Sequence, residues 1–337
     1  MILAFADDLT GALEIGAKFA EHGLPATVLT DLGSLTNREY PPVLVIDMET
    51  RHLTADEAGA RTRELATLAR DFAPMLVYQK TDSTLRGNIA AEMLAIQDVF
   101  SSPRPVYAPA YPDMGRTVRN GELFVWGTRV HETEFANDRW NPILDSRIDK
   151  LLAGVPALVL DGESNGDIEA AVHAILAGPA LHVCAGPAAL AEALARHLQN
   201  GIRRTLRLPK ISRCLVVNGS LHPASIQQMR WAEDRGLFGD GWIRLDEPME
   251  GMGMERAMRI GECVRNILNT TPFEAVIVFG GDTAFGIHRA LGELPFQSQG
   301  EVAPGVPVSE SGTLLWITKA GGFGPQDVLS TIRDRLT

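Results

Sequence analysis

The densest concentration of reactive side chains lies in YQKTDSTLRGN, where Lys80, Asp82, Ser83, Thr84, Arg86 and Asn88 fall within nine residues. A Lys and an Arg beside hydroxyl groups, just ahead of a helix start, make an anion cradle suited to a carboxylate or a phosphate. Nearer the N-terminus, ADDLTGA sets Asp7, Asp8 and Thr10 before Gly11. Asp is an ordinary N-cap, which accounts for one carboxylate. Two adjacent carboxylates repel, so the other needs a partner. DMETRHL groups Asp47, Glu49 and Arg51, and PAYPDMGRTVRNGELFVWG adds Asp113, Arg116 and Arg119. The second half of the chain relies on backbone instead. NGSLHPAS offers Gly219 and Ser220, GGDTAFG offers Gly280, Gly281, Asp282 and Thr283, and KAGGFG offers Lys319, Gly321, Gly322 and Gly324. Glycine lets amide N–H groups approach a ligand, and a helix N-terminus favours phosphate, so three such turns suggest a nucleotide site. There is no G-x-x-x-x-G-K-S/T and no complete G-x-G-x-x-G, which argues against an ordinary P-loop and a typical dinucleotide fold.

To act together these residues must sit at one edge of a sheet. Short β-branched runs alternate with amphipathic stretches, the pattern of parallel sheets flanked by helices. The sequence predicts strands at 2–6, 26–29, 43–47, 75–79, 105–108, 157–160 and 181–183, then 214–217, 241–245, 275–279 and 314–318. Helices are expected near 11–22, 55–71, 89–100, 168–176, 188–198, 224–235, 255–268, 284–291 and 326–336. Every motif above follows a predicted strand, where open α/β sheets bind ligands. The Pro- and Gly-punctuated stretch after 105–108 reads as loops over the site. Gly251 and Gly253 in EGMGMERAM read as a flexible helix start, because no third Gly follows.

A length of 337 residues fits two domains better than one. The basic connector at 200–213 places the boundary, giving α/β domains over 1–205 and 206–337 with mainly parallel sheets and an active site in the cleft between them. With 45% hydrophobic and 22% charged residues the chain is of the globular class. The net charge of −11 argues against nucleic acid and anionic lipid as partners, so an anionic ligand must rely on local cations and amides. Cys184, Cys214 and Cys263 are far apart and read as small buried hydrophobes in a reducing cytoplasm. The N-terminus lacks the basic region of a signal peptide, and no apolar run is long enough to span a membrane. A homodimer is the commonest base case.

FADDLTGA, DMETR, KTDSTLRGN, P-x-x-GRT-x-x-NG, NGS, GGDTA and TKAGGFG, in this order along nearly the whole chain, resemble the four-carbon acid sugar kinase family. The resemblance implies an ATP-dependent kinase, with Mg2+, acting on the terminal hydroxyl of threonate, erythronate or an oxo-tetronate. It puts the sugar acid on the N-terminal domain and the nucleotide on the C-terminal one. The implied sugar-acid site draws on Asp7, Asp8, Arg51, Lys80, Asp82, Ser83 and Arg86; within it we expect Asp8, Lys80 and Arg86 to be catalytic, and the turn chemistry adds Thr10 and Arg116 to the substrate contacts. Implied nucleotide contacts fall on Ser220, Gly280, Gly281, Asp282, Thr283, Gly321 and Gly322, and the KAGGFG turn adds Lys319 as an expectation of its own. The metal ligands are unassigned. The stretch between NGS and GGDTA is shorter than in the family, and His222 stands where a small hydroxyl residue is common; it reads as a capping or packing residue rather than a catalytic acid. Two other classes stay open: a non-catalytic sugar-acid-binding protein with a degenerate ATP domain, and a dinucleotide-dependent sugar-acid dehydrogenase.

Overall fold

A computed structural model describes residues 1–34, 41–102, 104–138, 140–177, 181–245 and 253–337. The first half runs β1 (Ile2–Ala6), α1 (Leu9–Glu21), β2 (Ala26–Leu29), β3 (Val43–Asp47), α2 (Ala55–Ala69), β4 (Leu76–Lys80), α3 (Ile89–Phe100) and β5 (Val106–Tyr107). A small antiparallel sheet follows, of β6 (Arg116–Arg119), β7 (Glu122–Val125) and β8 (Thr128–Arg129), before α4 (Ile148–Leu151), β9 (Leu158–Val159), α5 (Asn165–Leu176), β10 (His182–Gly186) and α6 (Ala188–Leu198). The second half runs β11 (Cys214–Asn218), α7 (Pro223–Asp234), β12 (Trp242–Arg244), α8 (Gly253–Thr270), β13 (Ala275–Phe279) and α9 (Gly281–Ala290). It closes with β14 (Phe296–Ala303), β15 (Val306–Ser311), β16 (Leu314–Lys319) and α10 (Val328–Leu336).

Both halves are α/β with mainly parallel strands, as the alternating pattern requires. They do not carry separate sheets, however. One 13-stranded sheet runs β12-β11-β13-β16-β15-β14-β2-β3-β1-β4-β10-β5-β9. The junction is antiparallel: β14 pairs with β2, Phe296 opposite Val28 and Gln297 opposite Thr27, and Thr27 Oγ1 donates to Gln297 Oε1 at 3.0 Å. The β14–β15 hairpin that makes this junction falls where the sequence pattern gives no strand, because Gln297, Ser298, Gly300 and Glu301 do not alternate as a half-buried strand does. The β6–β8 sheet likewise occupies part of the segment expected to be loops.

Strand order explains where the motifs meet. In the first half the chain passes from β1 to β2 and β3 on one side and to β4 on the other, so the carboxyl ends of β1 and β4 form a switch point. In the second half β11 is flanked by β12 and β13, and the ends of β11, β13 and β16 lie side by side.

Helix α1 lies between the halves and is buried almost all round, Leu9–Leu13 and Ile15–Glu21 included. A helix without a solvent face needs neighbours on every side. Strands β2 and β3 supply one, β14 and β15 of the same sheet another, and helices α6 and α9 a third. Its one deeply buried cation, Lys18, is paired with Glu301 of β14 at 2.9 Å and Glu192 of α6 at 3.0 Å. Cys184 and Cys214 are buried and Cys263 half-buried. Among the described residues no helix is long and apolar enough to cross a membrane.

Candidate functional site

The first wall starts where β1 ends. Asp8 has extended backbone and caps α1, accepting from Gly11 N–H at 2.8 Å and from Thr10 Oγ1 at 2.8 Å. Because β3 runs parallel to β1 with Asp47 beside Ala6, the turn after β3 carries Arg51 to the same place. Arg51 donates from Nε and Nη2 to the two oxygens of Asp7 at 2.7 Å each, and from Nη1 to Asp8 at 2.5 Å. This guanidinium is the partner that the paired carboxylates needed. Burial raises the Asp7 pKa despite Arg51, whereas at Asp8 the charges of Arg51 and Lys80 outweigh burial and hold the carboxyl below its usual range.

The turn after β4 folds around Asp82. Its carboxylate accepts from Thr84 N–H at 2.9 Å and from Arg86 Nε and Nη2 at 3.1 and 2.8 Å. Arg86 also reaches Asp138 at 3.2 Å and lies over the Phe135 ring. Burial opposes ionisation of Asp82, but Arg86 and Arg51 hold its pKa well below the usual range. Gly87, with φ +89°, is required here, since a Cβ would stand 2.7 Å from Asp7 Oδ2. Lys80 is buried with its ammonium 3.6 Å from Glu14 Oε2.

Between these turns opens a cavity of about 530 Å³ counting its mouth. Asp8, Thr10, Arg51, Lys80, Asp82, Ser83 and Arg86 all line it, so seven of the nine residues expected on the sugar-acid side converge. Asp7 stands behind Arg51 as its support. Arg116 is the departure: its guanidinium turns back to donate to the Met114 carbonyl and does not line this cavity, because β6 folds into the small antiparallel sheet. The opposite wall comes from the second half, with Pro307, Thr318 and Phe323.

The nucleotide-type turns also meet. Gly280, at φ +112°, leads into α9 with no side-chain cap, leaving the helix start exposed to a ligand. Ser220, Gly280, Gly281, Asp282, Thr283 and Gly321 line one cavity of about 740 Å³. Lys319 is not among them. It is 1% exposed and donates to Ser225 Oγ and to the carbonyls of Ala320 and Gly321 at 3.1, 2.9 and 3.0 Å, fastening the glycine turn from behind. Burial pushes its pKa down to about 7. Gly322 packs against His222, whose Nδ1 accepts from Ala224 N–H and caps α7, in keeping with the capping reading of that histidine. Gly253 begins α8 and lines this cavity, while Gly251 lies outside the described residues.

The two walls touch. A Cβ on Gly281 would be 3.0 Å from Thr10 Oγ1 and 3.7 Å from Asp8 Oδ2. His52 Nε2 lies 3.5 Å from Asp282 Oδ1, and this pair raises the His52 pKa.

Several lining residues carry no motif signal. Glu14 is reached by helical spacing from Thr10 (i, i+4), a signal that the sequence does contain. Tyr111 and Thr318 line the first cavity, and Trp140 and Arg256 the second. Arg256 donates to the Gly219 carbonyl at 3.1 Å and adds a cation to the glycine wall. Behind the first wall Glu49 and Glu92 are raised to about 7, chiefly by burial and then by the charges of Asp8 and Asp7 respectively. Among the described residues no group of three or more His, Cys, Asp or Glu is arranged to hold a metal ion.

A charged cavity on one half, facing an uncapped helix start and glycine turns on the other, defines a two-part protein that brings a small polar ligand up to a nucleotide. A family described as a sugar-binding N-terminal domain matches residues 2–155, and one described as a nucleotide-binding C-terminal domain matches residues 249–329. The chain is 30% identical to a D-threonate kinase of Bordetella bronchiseptica, over 98% of this chain and 97% of the relative. It is 28% identical to a D-threonate kinase of Salmonella typhimurium, over 97% and 96%. The chain belongs to the four-carbon acid sugar kinase family. The Salmonella alignment runs over 414 positions, against 337 residues here, so that relative carries residues without a counterpart in this chain. Among solved structures, a Haemophilus influenzae protein shares the fold at TM-score 0.78 and 19% identity, covering 99% of this chain and 100% of that one. A Bordetella bronchiseptica protein with bound citrate, a domain swapped dimer, matches at 28% identity and TM-score 0.56, covering 99% and 98%.

Proposed function

We propose that this kinase transfers the terminal phosphoryl group of ATP to the terminal hydroxyl of a four-carbon sugar acid, with the acid held by residues 1–205 and the nucleotide by residues 206–337. The observation that carries the reading is the contact of Gly281 with Thr10 and Asp8: phosphates bound at the start of α9 would end beside Asp8. Transfer of this kind proceeds through a loose transition state, so the protein's work is positioning and charge compensation. Asp8 orients the attacking hydroxyl and accepts its proton. Arg51 and Asp7 fix the Asp8 carboxylate, and Lys80 supplies a cation inside the cavity. Arg86, bonded to Asp82 and Asp138, holds the turn rigid as well as lining it.

Mg2+ bound to ATP would compensate phosphate charge and take most of its ligands from phosphate oxygens and water, in keeping with the lack of a ready protein cage among the described residues. Asp282 fits a water-mediated contact to it, being half-exposed at the helix start. The curated relatives include a D-threonate kinase, a 3-oxo-tetronate kinase and a D-erythronate kinase, and these three acids are the panel on which this chain's substrate is sought. A homodimer is the assembly we expect, in line with the dimeric Bordetella bronchiseptica relative.

The test is ADP release with ATP and Mg2+ across that panel, in wild type and Asp8→Ala. Wild type should turn over at least one acid. The variant should lose about 10²–10⁴-fold in kcat while still binding ATP. No turnover of any acid by wild type overturns the reading, and near-wild-type turnover by the variant removes Asp8 from the chemistry.

A further inference from the structure

The residues lining the sugar-acid cavity differ in whether their bonding capacity is already used. Arg51 and Arg86 look most like an anion clamp, yet Arg51 is bonded to Asp7 and Asp8, and Arg86 to Asp82 and Asp138. Two others are unmet. Glu14 Oε1 is buried and accepts no hydrogen bond. Thr318 Oγ1, on a side chain 1% exposed, also has no partner. Both residues line the same cavity, one from α1 of the first half and one from β16 of the second. A buried polar atom left unpaired is costly, so two of them on residues that line one cavity point to a ligand that supplies what they lack. A carboxylate oxygen wants a donor, and a threonine hydroxyl can give or accept. The ligand chemistry that answers both is a polyol hydroxyl. Lys80, whose ammonium lies beyond hydrogen-bonding distance of Glu14 at 3.6 Å, stands beside them for the ligand's carboxylate.

We propose that Glu14 and Thr318 are the specificity-determining pair of this cavity, binding the secondary hydroxyls of the sugar acid from opposite halves of the molecule. The inference rests on the sugar-acid kinase reading and sharpens it. A site built to hydrogen-bond a hydroxyl discriminates strongly against an analogue that lacks it, because its own polar groups are then left unpaired.

The test uses the full chain, Glu14→Gln and Thr318→Val, with kcat/KM measured for D-threonate, D-erythronate and 4-hydroxybutyrate. The last keeps the carboxylate and terminal hydroxyl but has no secondary hydroxyl. Each variant should lose at least about tenfold in kcat/KM for the preferred tetronate, narrow the preference over 4-hydroxybutyrate, and leave the KM for ATP within about twofold. An equal loss on all three acids, or no loss, overturns the proposal while wild-type turnover upholds the kinase reading. Thr318→Val keeps the side-chain shape and decides the matter if Glu14→Gln does not fold. If wild type turns over none of these acids and no 3-oxo-tetronate either, the kinase reading fails, and calorimetric binding of the same acids decides the pair: tenfold weaker tetronate binding by Thr318→Val supports it, and unchanged binding overturns it.

Discussion

The two walls of the cleft prepare for anions by opposite means. On the first, side-chain charge is abundant but largely compensated: Arg51 is clamped by Asp7 and Asp8, and Arg86 by Asp82 and Asp138. On the second, charge is sparse and backbone is exposed, with an uncapped α9 behind Gly280 and a Lys319 whose ammonium fastens the neighbouring turn. The first wall gains rigidity from its ion pairs; the second gains close approach from its glycines. This resolves how a chain of net charge −11 can take two anions, since neither wall depends on the overall field.

The comparison can be broken most severely at Arg51. Its removal leaves Asp7, 2% exposed, without its cation, and losing one partner of a buried pair costs about 3–5 kcal/mol. Arg51→Ala should therefore lower the unfolding free energy measured in urea by that amount as well as abolish turnover. A variant that keeps wild-type stability would mean that the compensated wall is not a scaffold. A second change starts from the other wall, at its contact with Thr10. Gly281→Ala adds a methyl 3.0 Å from Thr10 Oγ1, so Thr10, which is bonded to Asp8, must give by a few tenths of an ångström; this crowding offsets the gain in helix propensity, and stability should change by less than about 1 kcal/mol. Crowding the phosphate end should still lower kcat/KM for ATP by about 10–100-fold, as small misplacements at a reacting centre do. Unchanged ATP kinetics would move the phosphates away from α9.

The smallest effect is expected where the walls meet. The His52–Asp282 pair is 39% and 45% exposed, so its worth is below about 1 kcal/mol. Asp282 raises the His52 pKa in the folded state, so the contribution is fully present below the unfolded value near 6.5 and is lost as pH rises through the folded value. The stability difference between wild type and His52→Gln should be measurable by thermal unfolding at pH 6 and vanish at pH 8.5. A difference that persists at pH 8.5 would assign the contact to packing against Trp140 instead.

Most strands and helices of the sheet were legible, because buried parallel strands are continuous aliphatic runs and their flanking helices are amphipathic. The motif turns were legible for the same reason: a polar cluster directly after such a run sits at the ligand edge. What escaped was whatever owes its burial to a distant partner. Glu301 is buried against Lys18, 283 residues away, so nothing local marks β14 as a strand. Arg116 and Lys319 read as ligand contacts from their motifs, yet Arg116 turns to the Met114 carbonyl two residues back, and Lys319 to the carbonyls of Ala320 and Gly321 and to the distant Ser225 Oγ, orientations that the packing around each side chain sets. Thr318 was legible only as a strand end, and its unpartnered hydroxyl only in the assembled cavity.

The sequence by itself determined two α/β halves, the ligand edge of each, and the split between side-chain charge in the first and glycine backbone in the second. These follow from periodicity and turn chemistry, which are local. The tertiary structure decided that the halves share one sheet through β2 and β14, and that the strongest-looking cations are spent on neighbouring carboxylates. It also decided that Glu14 and Thr318 face one cavity. Those outcomes depend on which charges and hydroxyls meet, over separations from four residues for Arg86 and Asp82 to 270 for Thr27 and Gln297, and burial makes each such meeting, or failure to meet, energetically consequential.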